Sequence, residues 1–333
     1  MNSRVLVTGG AGFIGSHLVQ HLLNQGQTVR VLERPGVSVE HLPREDVEVV
    51  FADIREPLSL EKHLKGCEFV LHLAANPNLW ARDSRIFEQV NHQGTKHVLA
   101  AARKHDVAHV VHVSTESILA PKNSQEVITE ETQTELSEMI GPYCRSKWLA
   151  EQAARDAGES GQPVVIASPT VPVGPGDLNR GPLSRMICDF CHGRVKGYLE
   201  GDLNIIDVRD VARGIWSAAQ KGQVGHRYLL SNENYSILEF LRMLAGLTGR
   251  EAPRFRVPYA VALSFAHAEE WVSRFLSRRI PMATVTGIKL TQRPFRFDGR
   301  RSAEELGLLP YRDCRSSVEE TLHWFRGRGL IPA

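Results

Sequence analysis

The sequence predicts an α/β fold in which a doubly wound parallel sheet is followed by a smaller C-terminal lobe. Short apolar runs alternate with helical stretches over the first half of the chain. A glycine-rich turn joins the first apolar run to the first helix, and after about residue 170 the alternation gives way to Pro and Gly turns. Ligands of such a sheet bind beyond the carboxyl ends of its strands.

The apolar runs give the order of the sheet elements. Helical stretches separate most of these runs, notably 58–65 and 85–104, and a parallel sheet requires such crossovers. The predicted strands are 4–8, 28–33, 47–54, 67–75, 108–115 and 163–168.

The chain is expected to divide near residue 170. Residues 1–170 would form the dinucleotide-binding domain, with a return segment at about 203–230, and residues 171–333 mainly the substrate lobe. Helices are predicted in that second part at 207–220, 236–248 and 259–278, the second opening with Ser236 and Glu239 at capping-box spacing.

The helix at 259–278 has one apolar face. We expect this face to pack on the lobe's own core, as most amphipathic helices do. A lid over an apolar substrate, or a contact with a membrane surface, is the alternative. The face is formed by Val261, Phe265, Ala268, Val272 and Phe275.

Composition narrows the class of protein. Forty Lys and Arg residues against 38 Asp and Glu give a net charge of +2, which argues against a general nucleic-acid binder. The first apolar run is too short for a signal peptide, and no stretch has the roughly 18 apolar residues of a membrane span, so a cytoplasmic protein is expected.

The cysteines do not predict a metal site. Five cysteines, an odd number, fit reduced thiols. The run "CDFCH" at 188–192 matches a haem-attachment pattern, but it fits better as part of an amphipathic helix that ends at Gly193. We expect no metal.

Gly9, Gly12 and Gly15 stand between the first strand and the first helix. Glycines allow a tight turn and a close approach of the backbone to a pyrophosphate, and the helix start offers free N–H groups. Glu33 follows Gly15 by 18 positions, at the end of the next strand. Together these features predict a Rossmann-type dinucleotide site.

The choice between NAD and NADP stays open at Glu33 and Arg34. The carboxylate would accept hydrogen bonds from the ribose hydroxyls and repel a 2′-phosphate, whereas the guanidinium would pair with that phosphate. We expect NAD, because an arginine at the surface is free to turn into water.

Tyr143 and Lys147 lie four residues apart in "GPYCRSKWLAE", and Pro142 precedes them at a helix start. A nearby ammonium group favours a phenolate, so Lys147 is expected to lower the pKa of Tyr143. Thr115 ends a predicted strand at the same sheet edge. The three side chains would form a proton relay for hydride transfer to or from nicotinamide C4.

The chain resembles the extended short-chain dehydrogenases/reductases, the NAD-dependent epimerase/dehydratase group, over nearly its whole length. The resemblance is carried by "TGGAGFIG", "ADI", "LHLAA", "NHQGT", "STES", "YCRSK" and "SPTVPVGPG". Its features are most similar to the branch of hopanoid-associated epimerases, dihydroflavonol reductases and 3β-hydroxysteroid dehydrogenases, as in "LERPG" and "LTGREAPRFRVP".

The resemblance implies roles for particular residues. Thr115, Tyr143 and Lys147 would be catalytic, with Lys147 also holding the nicotinamide ribose, Asn91 supporting the relay and Asp53 contacting adenine. A homodimer through the helices that carry these residues is implied as well. Further cofactor contacts are expected from Phe13, Ile14, Ile54, Leu73, Ala74, Ala75 and Pro169.

Three functions stay open for the substrate side. We favour a secondary alcohol or ketone that is apolar or lipidic, since a nucleotide sugar needs fixed cations for its phosphates and Asn204 stands near the place where sugar-nucleotide relatives carry an arginine. Dehydration is disfavoured, because Glu116 is followed by Ser117 and not by a second carboxylate. Asn76, Glu116 and Asn204 are the candidate substrate residues.

The alternatives are a sugar epimerase, which oxidises its substrate only transiently, and a non-catalytic NAD(P)-binding sensor or scaffold. Retention of the three catalytic residues argues against the latter.

Overall fold

The computed structural model describes residues 4–122, 126–276 and 279–332. The strands in chain order are β1 (Arg4–Thr8), β2 (Thr28–Glu33), β3 (Val47–Phe51), β4 (Phe69–His72), β5 (His109–Val113), β6 (Val164–Pro169), β7 (Val171–Val173), β8 (Gly197–Tyr198), β9 (Asp202–Asp207), β10 (Arg227–Leu230), β11 (Glu233–Ser236) and β12 (Phe255–Arg256).

The helices are α1 (Phe13–Asn24), α2 (Pro57–Glu61), α3 (Arg85–Phe87), α4 (Gly94–Lys104), α5 (Gly141–Glu159), α6 (Pro182–Cys191), α7 (Val208–Lys221), α8 (Ile237–Thr248), α9 (Tyr259–Phe275), α10 (Val285–Leu290), α11 (Arg300–Leu306) and α12 (Cys314–Gly327). A π-helical turn, Glu88–Gln93, joins α3 to α4 without a break.

Seven strands form one parallel sheet in the order β10-β6-β5-β4-β1-β2-β3. One apolar core lies between the sheet and helices α1 and α7, and a second lies on the opposite face, against α2, α4 and α5. Helices therefore cover both faces, which confirms the predicted α/β class. The order reverses beside β1, so the end of β1 faces a crevice between two directions of winding.

Two predicted strands are shorter than the sequence suggested, for reasons that concern the site. The strand predicted at 47–54 ends at Phe51, because Asp53 turns back to bind Arg55. The strand predicted at 67–75 ends at His72, because residues 73–75 bend over the glycine loop. The helix predicted at 58–65 is the short α2.

Residues after β6 are shared between the sheet and a separate lobe. Helix α7 packs on α1, and β10 forms the edge of the large sheet. A three-stranded sheet, β11-β9-β7, and helices α6, α8 and α12 enclose the core of the lobe, which includes Ile187, Phe240 and Phe325. The predicted capping box at Ser236 and Glu239 is present at the start of α8. The division near residue 170 stays a prediction.

Helix α9 corrects the sequence interpretation. The face that buries the helix is Ala262, Ala266, Glu269 and Ser273, which packs against Ile288 of α10. Small side chains such as Ala262 and Ala266 lie on this face because they allow α9 to approach α10 closely. Of the predicted inward face, Val261, Phe265, Ala268 and Phe275 are exposed and Val272 is half-buried. Residues 277 and 278, the end of the predicted helix, lie outside the described residues.

Across residues 4–122, 126–276 and 279–332, helices of the length and apolarity that a bilayer span requires do not occur.

Candidate active site

The glycine loop forms a backbone cradle at the end of β1. Gly9 has a φ of +72°, and a Cβ on Gly15 would lie 2.2 Å from the Gly9 carbonyl oxygen. Helix α1 begins after Gly12 with no side-chain cap and no acidic residue in its first turn, so its first N–H groups point into the crevice without side-chain partners. A dinucleotide pyrophosphate fits this cradle, because the donors are free and the glycines leave room for it.

Glu33 and Asp53 lie at the end of the crevice where the adenosine is expected. Glu33 is buried, and its Oε1 accepts the Ala11 N–H at 2.7 Å; burial raises the pKa of its carboxyl group. Asp53 is bound by Arg55 at 2.6 Å, and this hydrogen bond lowers the pKa of Asp53. Arg34 is exposed beside both carboxylates and lowers the pKa of each. Arg55 was missed by sequence reasoning.

A buried hydrogen-bonded chain connects the glycine loop to helix α4. The Thr95 hydroxyl donates its hydrogen bond to the Asn91 carbonyl at 2.6 Å, so it accepts a hydrogen bond from His72 Nε2–H at 3.0 Å. His72 Nδ1 then accepts from the Thr8 hydroxyl at 2.8 Å, and that hydroxyl accepts the Ala74 N–H. Burial lowers the pKa of His72 to about 3, which keeps the ring neutral, as this sequence of donors requires.

Sequence reasoning missed Thr8, His72 and Thr95, although a signal existed. A histidine in the middle of the apolar run "FVLHLAA" is a buried polar group that needs partners on both ring nitrogens. The strand register places His72 level with Thr8 on β1 and with His112 on β5.

The π-helical turn positions Asn91. Its amide oxygen accepts the Asn76 N–H at 2.7 Å, and its Nδ2 donates to the Asn76 carbonyl at 3.2 Å and to the Ser146 hydroxyl at 2.9 Å. The wider turn directs this side chain inward, in keeping with the frequent use of π-turns at functional sites. Asn91 thus ties the loop after β4 to helix α5. Ile54 packs against Gly94, where a Cβ would lie 2.6 Å from it.

The start of α5 explains why a helix begins with two residues that usually break one. Gly141 has a φ of +70°, and a Cβ there would lie 2.3 Å from Thr286 Oγ1, so only glycine fits. Pro142 occupies the first turn, where its missing N–H costs nothing. One turn of helix then sets Tyr143 and Lys147 on the inner face, where both are buried.

Lys147 is held as a buried cation close to losing its proton. Its Nζ donates to the Val113 carbonyl at 2.8 Å, at the carboxyl end of β5. Burial lowers its pKa from 10.5 to about 8, although the Glu151 carboxylate raises it. Lys147 in turn lowers the pKa values of His72 and His112, for which burial is the larger cause.

Glu151 is a further buried charge that sequence reasoning missed. It lies one turn after Lys147, and Arg227 of β10 donates to its Oε1 through Nη2 at 2.6 Å, with Arg155 at 3.1 Å. The two guanidinium groups outweigh burial, so the pKa of Glu151 is lowered and the group is charged. The signal in the sequence was the spacing of four from Lys147 on the same helix.

The pKa of Tyr143 is raised in this structure, whereas the sequence analysis expected it to be lowered. Burial is the main cause, and the Glu116 carboxylate adds to it; a hydrogen bond with Thr115 acts in the opposite direction. The reversal follows from the surroundings: the ring lies in an apolar cluster beside a carboxylate, and Lys147 is not among the groups that shift this pKa.

Thr115, Glu116 and Ser117 form a compact polar group beside the phenol. The Thr115 hydroxyl donates to Glu116 Oε2 at 3.0 Å, and the Ser117 hydroxyl donates to Oε1 at 3.2 Å. Burial raises the pKa of Glu116, against the effect of these bonds. The group caps the short 3₁₀ turn Glu116–Ile118 that follows β5.

The wall around Tyr143 is apolar. The cluster that contains its ring combines residues from the loops after β4 and β5 with the segment after α10. Its members include Leu79, Phe87, Ile118, Met139, Leu290 and Phe295. Arg293 is buried nearby and donates to the Glu138 carbonyl at 2.7 Å, while its Nη1 has no hydrogen-bond partner among the residues that the structure describes.

Asn204, a candidate substrate residue, lies inside the lobe and not in the crevice. It is 1% exposed, and its oxygen accepts from Thr170 Oγ1 at 2.7 Å and from the Asn232 N–H at 3.0 Å. Its nitrogen donates to Asn234 at 3.0 Å. The Asn204 amide is therefore fully used in joining β9 to β11 and to Thr170, which directly follows β6.

The other predicted cofactor residues surround the loop and the sheet edge. Leu73 and Ala74 lie against Gly9, the former bonded through its N–H to the Thr8 carbonyl. Pro169 ends β6 opposite Leu230. Phe13 and Ile14 begin α1, and Ala75 follows Ala74, all three half-buried.

The cysteine pair of "CDFCH" contributes to packing. Cys188 and Cys191 are buried on α6 in the core of the lobe. Within the described parts of the chain, groups of three or more His, Cys, Asp or Glu side chains arranged to hold a metal do not occur.

Known proteins resemble this chain over most of its length. The family model for the NAD dependent epimerase/dehydratase family matches residues 5–231. A putative dihydroflavonol 4-reductase of Synechocystis sp. is 35% identical over 329 residues, covering 98% of this chain and 95% of that protein. Sterol demethylase protein B of Methylococcus capsulatus is 33% identical over 327 residues, covering 98% of this chain and 99% of that protein.

A crystal structure with similar architecture is that of a dTDP-glucose 4,6-dehydratase from Streptomyces venezuelae, solved with NAD and TYD bound. It has a TM-score of 0.76 and 24% identity and covers 98% of both chains. At this identity the likeness shows the fold.

Proposed function

The chain belongs to the NAD-dependent epimerase/dehydratase family and is an enzyme of the extended short-chain dehydrogenase/reductase type, and we propose that it interconverts a secondary alcohol and a ketone on an apolar or lipidic substrate. The observation that carries the proposal is the apolar cluster that contains the Tyr143 ring, with Leu79, Ile86 and Ile140 half-buried at its edge. Apolar side chains packed next to the reacting group favour a substrate that gains by leaving water.

Two further observations favour the same substrate class. Asn204, where sugar-nucleotide relatives are expected to carry an arginine, is uncharged and bonds to protein groups inside the lobe. The relatives named above include a reductase and a sterol demethylase, whose names point to ring systems of low polarity. Asn76 and Glu116 are the groups nearest the relay that we assign to positioning the substrate's polar end.

In the proposed mechanism Tyr143 gives its phenolic proton to the carbonyl oxygen during reduction and takes a proton from the hydroxyl group during oxidation. Thr115 hydrogen-bonds the phenol. The cofactor, when bound, would accept the hydride at nicotinamide C4 as NAD or supply it as NADH. Lys147 would hold the nicotinamide ribose, and Asn91 would support the relay.

We assign NAD as the preferred cofactor. The buried carboxyl of Glu33 would accept hydrogen bonds from the ribose hydroxyls and disfavour a 2′-phosphate, and Arg34 is exposed, so it can turn into water. We also propose a homodimer through the helices that carry Tyr143 and Lys147, with sedimentation velocity as its test.

The test uses NADH absorbance with apolar secondary alcohols and, separately, UDP-sugars. We expect an apolar secondary alcohol to reduce NAD in the wild-type protein. Tyr143→Phe should abolish this reduction, while NAD should still raise the melting temperature of the variant. Interconversion of UDP-sugars without net NADH would establish the epimerase instead. Full activity in Tyr143→Phe would exclude the mechanism, and cofactor binding with every substrate inert would favour a non-catalytic sensor.

A further inference from the structure

Helix α9 presents an exposed apolar surface beside the active site. The surface consists of Val261, Phe265, Trp271, Phe275 and Leu276, which are between 48% and 71% exposed. At 100° per residue these residues fall within an arc of about 140° on one side of the helix, and the rings of Trp271 and Phe275 contact each other. A contiguous group of exposed apolar side chains indicates an interaction surface, because exposed apolar residues without such a role are usually scattered singly over a protein.

The rest of α9 is well anchored, so the exposure does not arise from a loosely packed segment. Ala262, Ala266 and Ser273 are buried against the lobe. Ile288 of α10 packs in the same small core. Tyr259 and Leu263 are half-buried against the same core. The helix thus leaves most of its large apolar residues outward, which is unusual for a helix that serves its own core.

The charges of α9 are also sorted between the two sides. Glu269 accepts the Met282 N–H at 3.0 Å and binds Arg279 at 3.1 Å, and Glu270 accepts the Val285 N–H at 2.7 Å. Both carboxylates are therefore directed to the segment that leads into α10. Arg274 is exposed among the apolar residues. An outward face of aromatic and cationic side chains complements an anionic lipid surface.

The surface lies next to the route into the site. Arg82 Nη2 donates to the Ser273 carbonyl of α9 at 3.2 Å. Arg82 belongs to the loop after β4, which Asn91 binds at Asn76 and which places Leu79 against the cluster around Tyr143. On the other side, Thr286 of α10 touches Gly141 at the start of α5. The helix and the reacting phenol are thus joined through two short segments.

We propose that α9 docks the enzyme on an anionic lipid bilayer, with Phe265, Trp271 and Phe275 buried among the acyl chains and Arg274 at the level of the headgroups. The inference rests on the proposed apolar substrate, which would partition into the same bilayer. A docked α9 brings the loop that carries Leu79 and Arg82 to the membrane surface, where such a substrate is concentrated.

The test is flotation with phosphatidylcholine vesicles with and without phosphatidylserine. Wild-type protein is expected to float with the anionic vesicles, and Phe265→Ser/Phe275→Ser to lose at least about tenfold in affinity. Leu58→Ser, which removes another exposed apolar side chain, on α2, is the matched control and is expected to bind as wild type does. Wild-type protein that stays unbound, or binding that ignores phosphatidylserine, would overturn the proposal.

Two further measurements separate this proposal from its competitors. Sedimentation velocity without vesicles is expected to give the same mass for wild type and the double variant; dissociation of the variant would make the surface a subunit interface and overturn docking. Turnover of a water-soluble secondary alcohol without vesicles is expected to be equal in both proteins. If the wild-type protein does not turn over the alcohol, the proposed function is wrong. If it turns over the alcohol but does not float with the vesicles, only the proposed docking is wrong.

Discussion

The carboxyl edge of the large sheet and helix α9 depart from the usual distribution of side chains in opposite directions. At the sheet edge, Lys147 and Glu151 are charged groups that are buried. On α9, Phe265 and Phe275 are apolar groups that are exposed. Burying charge costs free energy unless it is compensated, and exposing apolar surface costs free energy as well. Both regions therefore cost stability, and the proposed reaction and the proposed docking would each give a reason for that cost.

The compensation differs between the two regions. Glu151 has two guanidinium partners, so its charge is retained. Lys147 has one carbonyl partner at 2.8 Å and a pKa of about 8, so its charge is retained at a cost. The exposed apolar side chains of α9 would be buried only in the proposed docked state, by lipid. The predictions below test this contrast.

The largest effect is expected for Lys147→Met. Hydride transfer should fall by about a hundred- to ten-thousand-fold, because the cation that would hold the nicotinamide ribose beside Tyr143 is gone. The unfolding free energy of the cofactor-free variant at pH 7 should rise by about 1–3 kcal/mol, because a costly buried charge is gone. Stopped-flow NADH absorbance and urea unfolding measure the two. A less stable variant would show that Lys147 supports the fold.

Glu151→Gln should lower the unfolding free energy by about 3–5 kcal/mol, since it leaves Arg227 buried without its carboxylate. Arg227 is 7% exposed and has Glu151 as its acidic partner at 2.6 Å. Arg155→Gln removes the more exposed partner and serves as the control, with a smaller loss. Urea unfolding of both variants decides, and equal losses would contradict the assigned burial.

Lys147 also predicts a pH dependence. Its pKa is about 8 in the folded chain against 10.5, so between these values the unfolded chain binds more protons and stability rises with pH. Between pH 8 and pH 10 the gain of wild type over Lys147→Met should reach about 2 kcal/mol. Parallel curves for the two proteins, measured by chemical unfolding, would refute the lowered pKa.

Arg34→Ala bears on the cofactor. It should weaken NADP binding by about tenfold, because a charged hydrogen bond to the 2′-phosphate is lost, and leave NAD binding unchanged. Calorimetric titration of both cofactors measures this. Equal weakening of NAD and NADP binding would indicate that Arg34 contacts the pyrophosphate instead. Glu33→Gln is the companion variant, and we expect it to improve NADP binding.

The smallest effect is expected on the side of α9. Phe265→Ser/Phe275→Ser should change the unfolding free energy by less than about 0.5 kcal/mol per substitution, because both rings already meet water. Phe240→Ala, in the core of the lobe, should cost about 3–5 kcal/mol. Thermal unfolding without lipid compares them. A large loss in the α9 variant would show that its rings pack on the protein.

Much of the site was predictable because its signals are local. Gly9, Gly12 and Gly15 are needed wherever a strand must turn at once into a helix, and Tyr143 and Lys147 share a face by helical spacing alone. The parallel sheet followed from alternating strands and helices, and the structure and the family match confirm it. The roles of the individual residues stay predictions.

What the sequence by itself determined is the alternation of strands and helices up to β6 and the helices α7, α8 and α9, because periodicity and turn chemistry act over a few residues. The strands after β6 and the helices α10–α12 were not predicted. The tertiary structure decided which groups are buried together. His72 gains Thr8 and Thr95 from distant segments, and Glu151 gains Arg227. The inward face of α9 was decided by the fit of Ala266 against α10, since close packing selects small side chains whatever the hydrophobic pattern of a helix predicts.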